Sequence, residues 1–301
     1  MTPRLASRGR GGPAGPHAPS TISDLLAGRF TVVDAETDSN KAAMCRVIEL
    51  GYAHFDGGML VEHRAARFNP GVSIEPGATA VHHICDADLV SCPSLGGCVW
   101  LLPVLLSNRL VGYNCRVFDE PVLRRELVLG FDLDVPLEML AVYIFVAWHL
   151  RHYPSRKLAQ VAERQGVRLV DAHSAAADAI ATGQILVRLL RAGFVPRDHH
   201  AALHEQARLA AEIDDERARW GAWFYRDRQA PFALCVGRGD YCGKRIEQVD
   251  PAYFAQVLGG TVHEEHPLTS DAREVFERRA RGELLDPAEV EARAPVGGAS
   301  R

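Results

Sequence analysis

Alternating apolar positions first appear at residues 29–34 (RFTVVD), which predict a strand. Residues 46–55 (RVIELGYAHF) and 59–68 (MLVEHRAARF) are two further β-rich runs flanking Asp56-Gly57-Gly58. A Gly-bearing turn signal between two such runs predicts a β-hairpin. After a Pro- and Gly-bearing loop at 69–77, Asp86-Ala87-Asp88 and Pro93-Ser94 open helical stretches. Residues 109–114 (RLVGYN) predict a short buried strand, and Glu120-Pro121 starts a helix, where proline is tolerated in the first turn. The apolar runs 95–106, broken by Pro103, and 139–150 are far short of the ~20 residues that cross a bilayer, and predict buried helices. Helices at 155–165 and 173–191 end at Gly166 and Gly193. A hairpin followed by alternating helices and strands predicts an α/β fold, a mixed sheet with helices on both faces.

Farther along, residues 203–220 (LHEQARLAAEIDDERARW) predict a charged connecting helix. The composition then shifts to Trp223-Phe224-Tyr225, a glycine cluster at 237–243, and an amphipathic run from Asp250-Pro251 to Leu258. The expected organisation is a disordered tail at 1–27, a main domain at 28–195, a helical linker at 196–220, a small α+β module at 221–285 and a flexible tail at 286–301.

Composition narrows the classes. The chain has 301 residues, 47% hydrophobic and 24% charged, which excludes wholesale disorder and leaves room for a real core. With a net charge of −4, a bulk electrostatic grip on nucleic acid is excluded, so a polyanion must be held by local arginines or metal ions. Lysine occurs only at 41, 157 and 244, so basic surface is mostly arginine, suited to bidentate phosphate contacts. Seven scattered cysteines, none with CxxC spacing, do not make a disulfide framework. Cys85, Cys92 and Cys98 follow His82-His83, but spacings of six and five fall outside zinc-site ranges, so buried free thiols are expected. The N-terminal stretch has arginines but no apolar core of a signal peptide, so a soluble, cytoplasmic protein without membrane contact is expected.

The candidate chemistry is acidic. Asp34 and Glu36 end the first strand two residues apart, so their side chains project from one face. Two such carboxylates either hold a hard divalent cation or cap a solvated turn. Asp119 opens a helix after the strand that ends at Asn114, and serves either the same sheet edge or as an N-cap before Pro121. His173 and Asp178 lie five apart at the start of an alanine-rich helix, facing the same cluster or capping and solvated.

Order, spacing and context together resemble the DEDDh, or DnaQ-like, family of 3′→5′ exonucleases, which includes the proofreading subunit of bacterial replicative DNA polymerase. Asp34-Ala35-Glu36-Thr37 is similar to that family's first motif, Asn114 with Phe118-Asp119 to its second, and His173, Ala175 and Asp178 to its third, H-x-A-x-x-D. Residues 69–89 are similar to its N-P…A-x-x-V-H-G-I segment, with His82 at the histidine and His83 in place of the glycine. The second motif is one residue longer than N-x-x-F-D. The resemblance covers residues 28–195 and implies a ribonuclease H-like fold. It also implies that Asp34, Glu36, Asp119 and Asp178 hold two Mg²⁺ or Mn²⁺ ions and that His173 acts as general base. Ala35, Thr37, His82 and Asn114 would contact substrate. The implied substrate is an unpaired nucleic-acid 3′ end, DNA favoured over RNA, with a DNA polymerase or repair protein as a possible partner. Residues 231–258 resemble a small domain that follows some family members, with a loose F-G-K-x-K-G pattern that Gly237, Gly243 and Lys244 fit and in which Val236 replaces the Phe; there Arg238, Lys244 and Arg245 near Tyr241 either touch nucleic acid or are solvated cations. A non-catalytic binding subunit is the reading of another class, and it leaves four converging carboxylates without a purpose.

Overall fold

A computed structural model of the chain describes residues 23–153, 155–169, 174–227, 230, 233–260 and 267–285. Its centre is a five-stranded sheet of order β3-β2-β1-β4-β5, built from β1 (Arg29–Thr37), β2 (Val47–Asp56), β3 (Met59–Arg67), β4 (Leu110–Gly112) and β5 (Met139–Ala141). β2 runs antiparallel to both β1 and β3, while β4 and β5 run parallel to β1. One reversed strand in an otherwise parallel sheet of this order is the ribonuclease H-like arrangement.

The hairpin forms where the sequence places it, with Gly57 and Gly58 both at positive φ in the turn. The β1–β2 register sets Phe30 opposite Phe55, and their rings stack with centroids 5.1 Å apart. Helices α1 (Pro76–His82), α2 (Asp86–Leu89) and α3 (Leu102–Leu105) precede β4; α4 (Asp119–Phe131) lies between β4 and β5. After β5 come α5 (Val142–His149), α6 (Leu158–Arg164), α7 (Ala175–Arg191) and α8 (His199–Trp220). α7 packs on β1 and β2, with Ala175 against Gly51 and Gly183 against Phe55, and Ala175, Ala179, Ala181 and Gly183 are all buried. A Cβ at Gly183 would stand 2.1 Å from the Phe55 ring, so only glycine lets the helix lie this close.

Two expected helices differ. The run 139–150 divides into strand β5 and helix α5, because a parallel strand buried on both faces carries the same unbroken apolar run as a buried helix. Residues 95–106 form two 3₁₀ turns, Leu95–Gly97 and Val99–Leu101, before α3, since Gly96, Gly97 and Pro103 punctuate the run. The thiols also differ: Cys98 is buried, Cys92 half-buried and Cys85 exposed, its Sγ donating to Asp88 at 3.1 Å.

α8 spans two cores. Leu203 and Leu209 pack with the sheet, and the Gln206 amide clamps β5 by accepting from Ala141 N–H (2.5 Å) and donating to the Met139 carbonyl (3.1 Å). Trp220, at its other end, belongs to a second apolar cluster with Trp223, Phe224, Phe254 and Phe276. That cluster joins β6 (Phe224–Arg226), β7 (Leu234–Val236), α9 (Pro251–Leu258) and α10 (Ser270–Ala280). Within it Arg245 pairs with Asp227 at 2.7 Å, Lys244 lies 5.3 Å over the Tyr241 ring and Arg238 lies 5.6 Å over Trp223. The three cations of the glycine-rich segment thus have partners inside the module. No helix among the described residues is long and apolar enough to cross a membrane.

Candidate active site

β1 brings Asp34 and Glu36 to the edge of the sheet where β4 ends. Alternation puts both on one face, and α7 supplies Asp178 from its first turn. One carboxylate oxygen from each of Asp34, Glu36 and Asp178 lies within 4.8 Å of the others. Asp119, the first residue of α4, is also buried and charges the same space, since its field acts on both Asp34 and Glu36. Its carboxylate accepts from its own backbone N–H and from that of Ala35. α4 is itself anchored seven residues on, where buried Glu126 accepts from Arg46 Nε (2.8 Å) and Val47 N–H (3.1 Å).

The approach of α7 depends on a residue with no side chain. Gly51 stands opposite Asp34 in the β1–β2 register, and a Cβ there would lie 2.1 Å from the Ala175 carbonyl carbon. Two positions back, Glu49 faces Glu36. It is buried, accepting from Arg67 Nε through Oε1 (3.0 Å) and from Ala175 N–H through Oε2 (3.1 Å). Glu49 therefore caps α7 from the neighbouring strand and satisfies one of the N–H groups that a helix start leaves open. Sequence reasoning missed it. The signal was present as a lone carboxylate inside the apolar run of β2, but its meaning depends on the antiparallel register that sets it beside Glu36. Gly51→Ala is expected to lower stability by about 1–3 kcal/mol as α7 is forced off the sheet, read as a shift in the urea midpoint; an unchanged midpoint would contradict this seat for the helix.

The remaining positions separate. Thr37 is buried and its hydroxyl donates to the Ser39 carbonyl (2.7 Å). His82 is buried too, its Nε2 donating to the Thr37 carbonyl (3.2 Å) and its Nδ1 accepting from Ile84 N–H (3.1 Å). Burial lowers its pKa, so a neutral imidazole ties the end of α1 to the end of β1. His83 follows at φ 61, a left-handed conformation that suits glycine better than histidine. Asn114 lines an open cleft of about 860 Å³ together with Val81, His83, Tyr113, Tyr143 and Lys157. His173 lies outside the described residues.

Electrostatics make this cluster unstable by itself. Burial, then the charges of Asp119, Asp178, Glu36 and Glu49, hold Asp34 well above the usual carboxylate range. Burial, followed by Asp178, Glu49 and Asp119, pushes Glu36 up to about 8, and burial pushes Asp119 to about 6. Hard oxygen donors gathered within a few ångströms, each resisting ionisation, fit a divalent cation such as Mg²⁺ or Mn²⁺, whose charge offsets the repulsion. Because the native pKa values exceed the unfolded ones, the metal-free native state binds more protons than the unfolded chain. Its stability is then full below the unfolded value, near 4.5 for Glu36, and is lost as pH rises through about 8. In chelator the melting temperature is expected to fall by several degrees between these limits, with Mn²⁺ or Mg²⁺ restoring it most at the alkaline end. A melting temperature that rises with pH in chelator would contradict the cluster.

The family model described as Exonuclease, RNase_T, matches residues 31–186, a span that contains all four carboxylates. The chain belongs to that exonuclease family. Among solved structures, E. coli exonuclease I in complex with a dT13 oligonucleotide is 18% identical at a TM-score of 0.46, with 63% of this chain and 44% of that one covered. Exonuclease X in complex with 5′ overhanging duplex DNA is 18% identical at 0.47, covering 58% of this chain and 98% of that one. E. coli exonuclease I in complex with a dA16 oligonucleotide is 13% identical at 0.49, covering 88% and 70%. The chain spans less than half of the first of these structures. No curated protein matches. The carboxylate cluster thus lies inside the exonuclease domain that the family model covers.

Proposed function

We propose that this exonuclease is of the DEDDh type and removes 5′-mononucleotides from unpaired DNA 3′ ends, as a cytoplasmic enzyme of repair or of polymerase proofreading. The observation that carries this reading is the convergence of Asp34, Glu36 and Asp178, with Asp119 beside them, on one sheet edge. These four would hold two Mg²⁺ or Mn²⁺ ions. When bound, such a pair stabilises both the attacking and the leaving oxygen of a phosphodiester in line.

The protein's own residues do the rest. The rigid β1 strand and the anchored starts of α4 and α7 fix the carboxylate oxygens, so geometry is set before substrate arrives. His173, one residue before the α7 N-cap Ser174, accepts the proton of the attacking water as general base. Asn114 and Ala35 orient the terminal nucleotide, while Thr37 and His82 hold the walls around it. The cleft beside Asn114 carries Tyr113 and Tyr143 for stacking and Lys157 for phosphate, as unpaired bases require. The division into a tail at 1–27, a catalytic domain at 28–195, a helical linker at 196–220, a module at 221–285 and a tail at 286–301 is kept with this reading.

The second module favours DNA over RNA. Matched 5′-labelled DNA and RNA single strands, digested with Mn²⁺, test that choice. Faster shortening of DNA is expected, and an RNA strand consumed at the greater rate would replace the proposal with an RNA-trimming one.

A further inference from the structure

We propose that the C-terminal module acts as a buttress for the cationic wall of the substrate cleft, through Arg151. This rests on the nuclease reading above and deepens it by assigning the module a role in holding the strand. Arg151 is 8% exposed, and its guanidinium lies 4.2 Å from the Trp148 ring and 4.8 Å from that of Tyr225 of β6. It pairs with Glu216 of α8 at 3.1 Å and donates to the Arg226 carbonyl at 3.2 Å. An arginine that lies against two rings while its Nη1 reaches both a carboxylate and a carbonyl fixes two bodies more rigidly than a lysine would. Gly243 completes the contact at φ 90, where a Cβ would already stand 3.2 Å from His152.

The same short segment then turns into the cleft. Arg156 donates through Nη1 to the Arg151 carbonyl (3.1 Å), and its own carbonyl accepts from the Tyr113 hydroxyl (2.6 Å). Arg156 and Lys157 line the cleft of about 860 Å³, a size in the ~300–1,000 Å³ range of ligand sites. The crevice between module and domain, which Arg151 and Tyr225 line, holds only about 70 Å³. That is room for a couple of waters at ~30 Å³ each, not for a nucleotide. The module therefore reaches the strand through Arg151, whose carbonyl holds the Arg156 guanidinium beside the cleft, not by a pocket of its own. Arg151 is a positioning residue.

The test uses a fluorescein-labelled dT12 strand and anisotropy, in the full-length Asp34→Ala protein, which does not turn it over. Arg151→Met is expected to weaken binding about tenfold, and Lys157→Gln about threefold or more. Because Arg151 acts through the wall, the double variant loses less than the product of the two factors. In the otherwise native protein Arg151→Met lowers the rate on thymidine 5′-(p-nitrophenyl phosphate), which offers a single nucleotide to the cleft, by less than it weakens dT12 binding. Wild-type dT12 affinity in a folded Arg151→Met protein, multiplying factors, or an equal fall on the small ester would each overturn the proposal. Where melting shows that Arg151→Met does not fold, Glu216→Gln, which leaves the arginine against its rings, carries the same comparison with a factor of about three. A wild-type chain that cleaves neither substrate would contradict the nuclease reading, while the binding comparison would still decide the buttress.

Discussion

Asp34→Ala is expected to abolish turnover, by at least about a thousandfold, since the metal site it would disrupt supplies several kcal/mol of transition-state stabilisation. Asp34 is held well above the usual carboxylate range by burial, then by the charges of Asp119, Asp178, Glu36 and Glu49. The same variant should melt higher than the wild type in chelator at pH 8, because removing one ionisable group from the cluster relieves repulsion. Loss of activity together with a gain in metal-free stability is a signature of a functional carboxylate, and general unfolding cannot produce it. Near-normal activity in the folded variant would place the site elsewhere.

His173→Ala is expected to cost ~10²–10⁴-fold in kcat while leaving divalent-ion affinity intact, as the loss of a general base does. Its rate should rise as pH increases and the solvent supplies the missing proton acceptor. A capping role would instead lower stability by about 1 kcal/mol with little change in rate per folded molecule. The N-cap position of α7 belongs to Ser174, whose own side chain makes no cap hydrogen bond. Melting temperature and single-turnover rate of the same variant separate the two, and a destabilised protein with the wild-type rate would end the assignment.

The hairpin was legible in sequence because Asp56-Gly57-Gly58 interrupts two alternating runs, and local turn chemistry decides such a feature. The D-x-E pair at 34 and 36 was legible for the same reason, since side-chain alternation along one strand needs no tertiary information. β5 was not, because its partners are on both faces and erase the period that separates strand from helix. Glu49 and Gly51 escaped because their roles exist only across the β1–β2 register, where one caps and the other admits the start of α7. Arg151 could not be read locally as a tie to the module, as Tyr225 and Glu216 lie more than sixty residues away. Arg245, expected either to touch nucleic acid or to be a solvated cation, pairs with Asp227 eighteen residues earlier, a partner that no local pattern announces.

The most direct measurement is digestion of one DNA single strand labelled at its 5′ end and, in a second sample, at its 3′ end, with Mn²⁺ or with EDTA. A carboxylate-held metal site cutting from the 3′ end predicts a ladder of shortening 5′-labelled products, immediate release of the 3′ label as a mononucleotide, and no cleavage in EDTA. Cleavage that survives exhaustive chelation, or a ladder that shortens from the 5′ end, would contradict it.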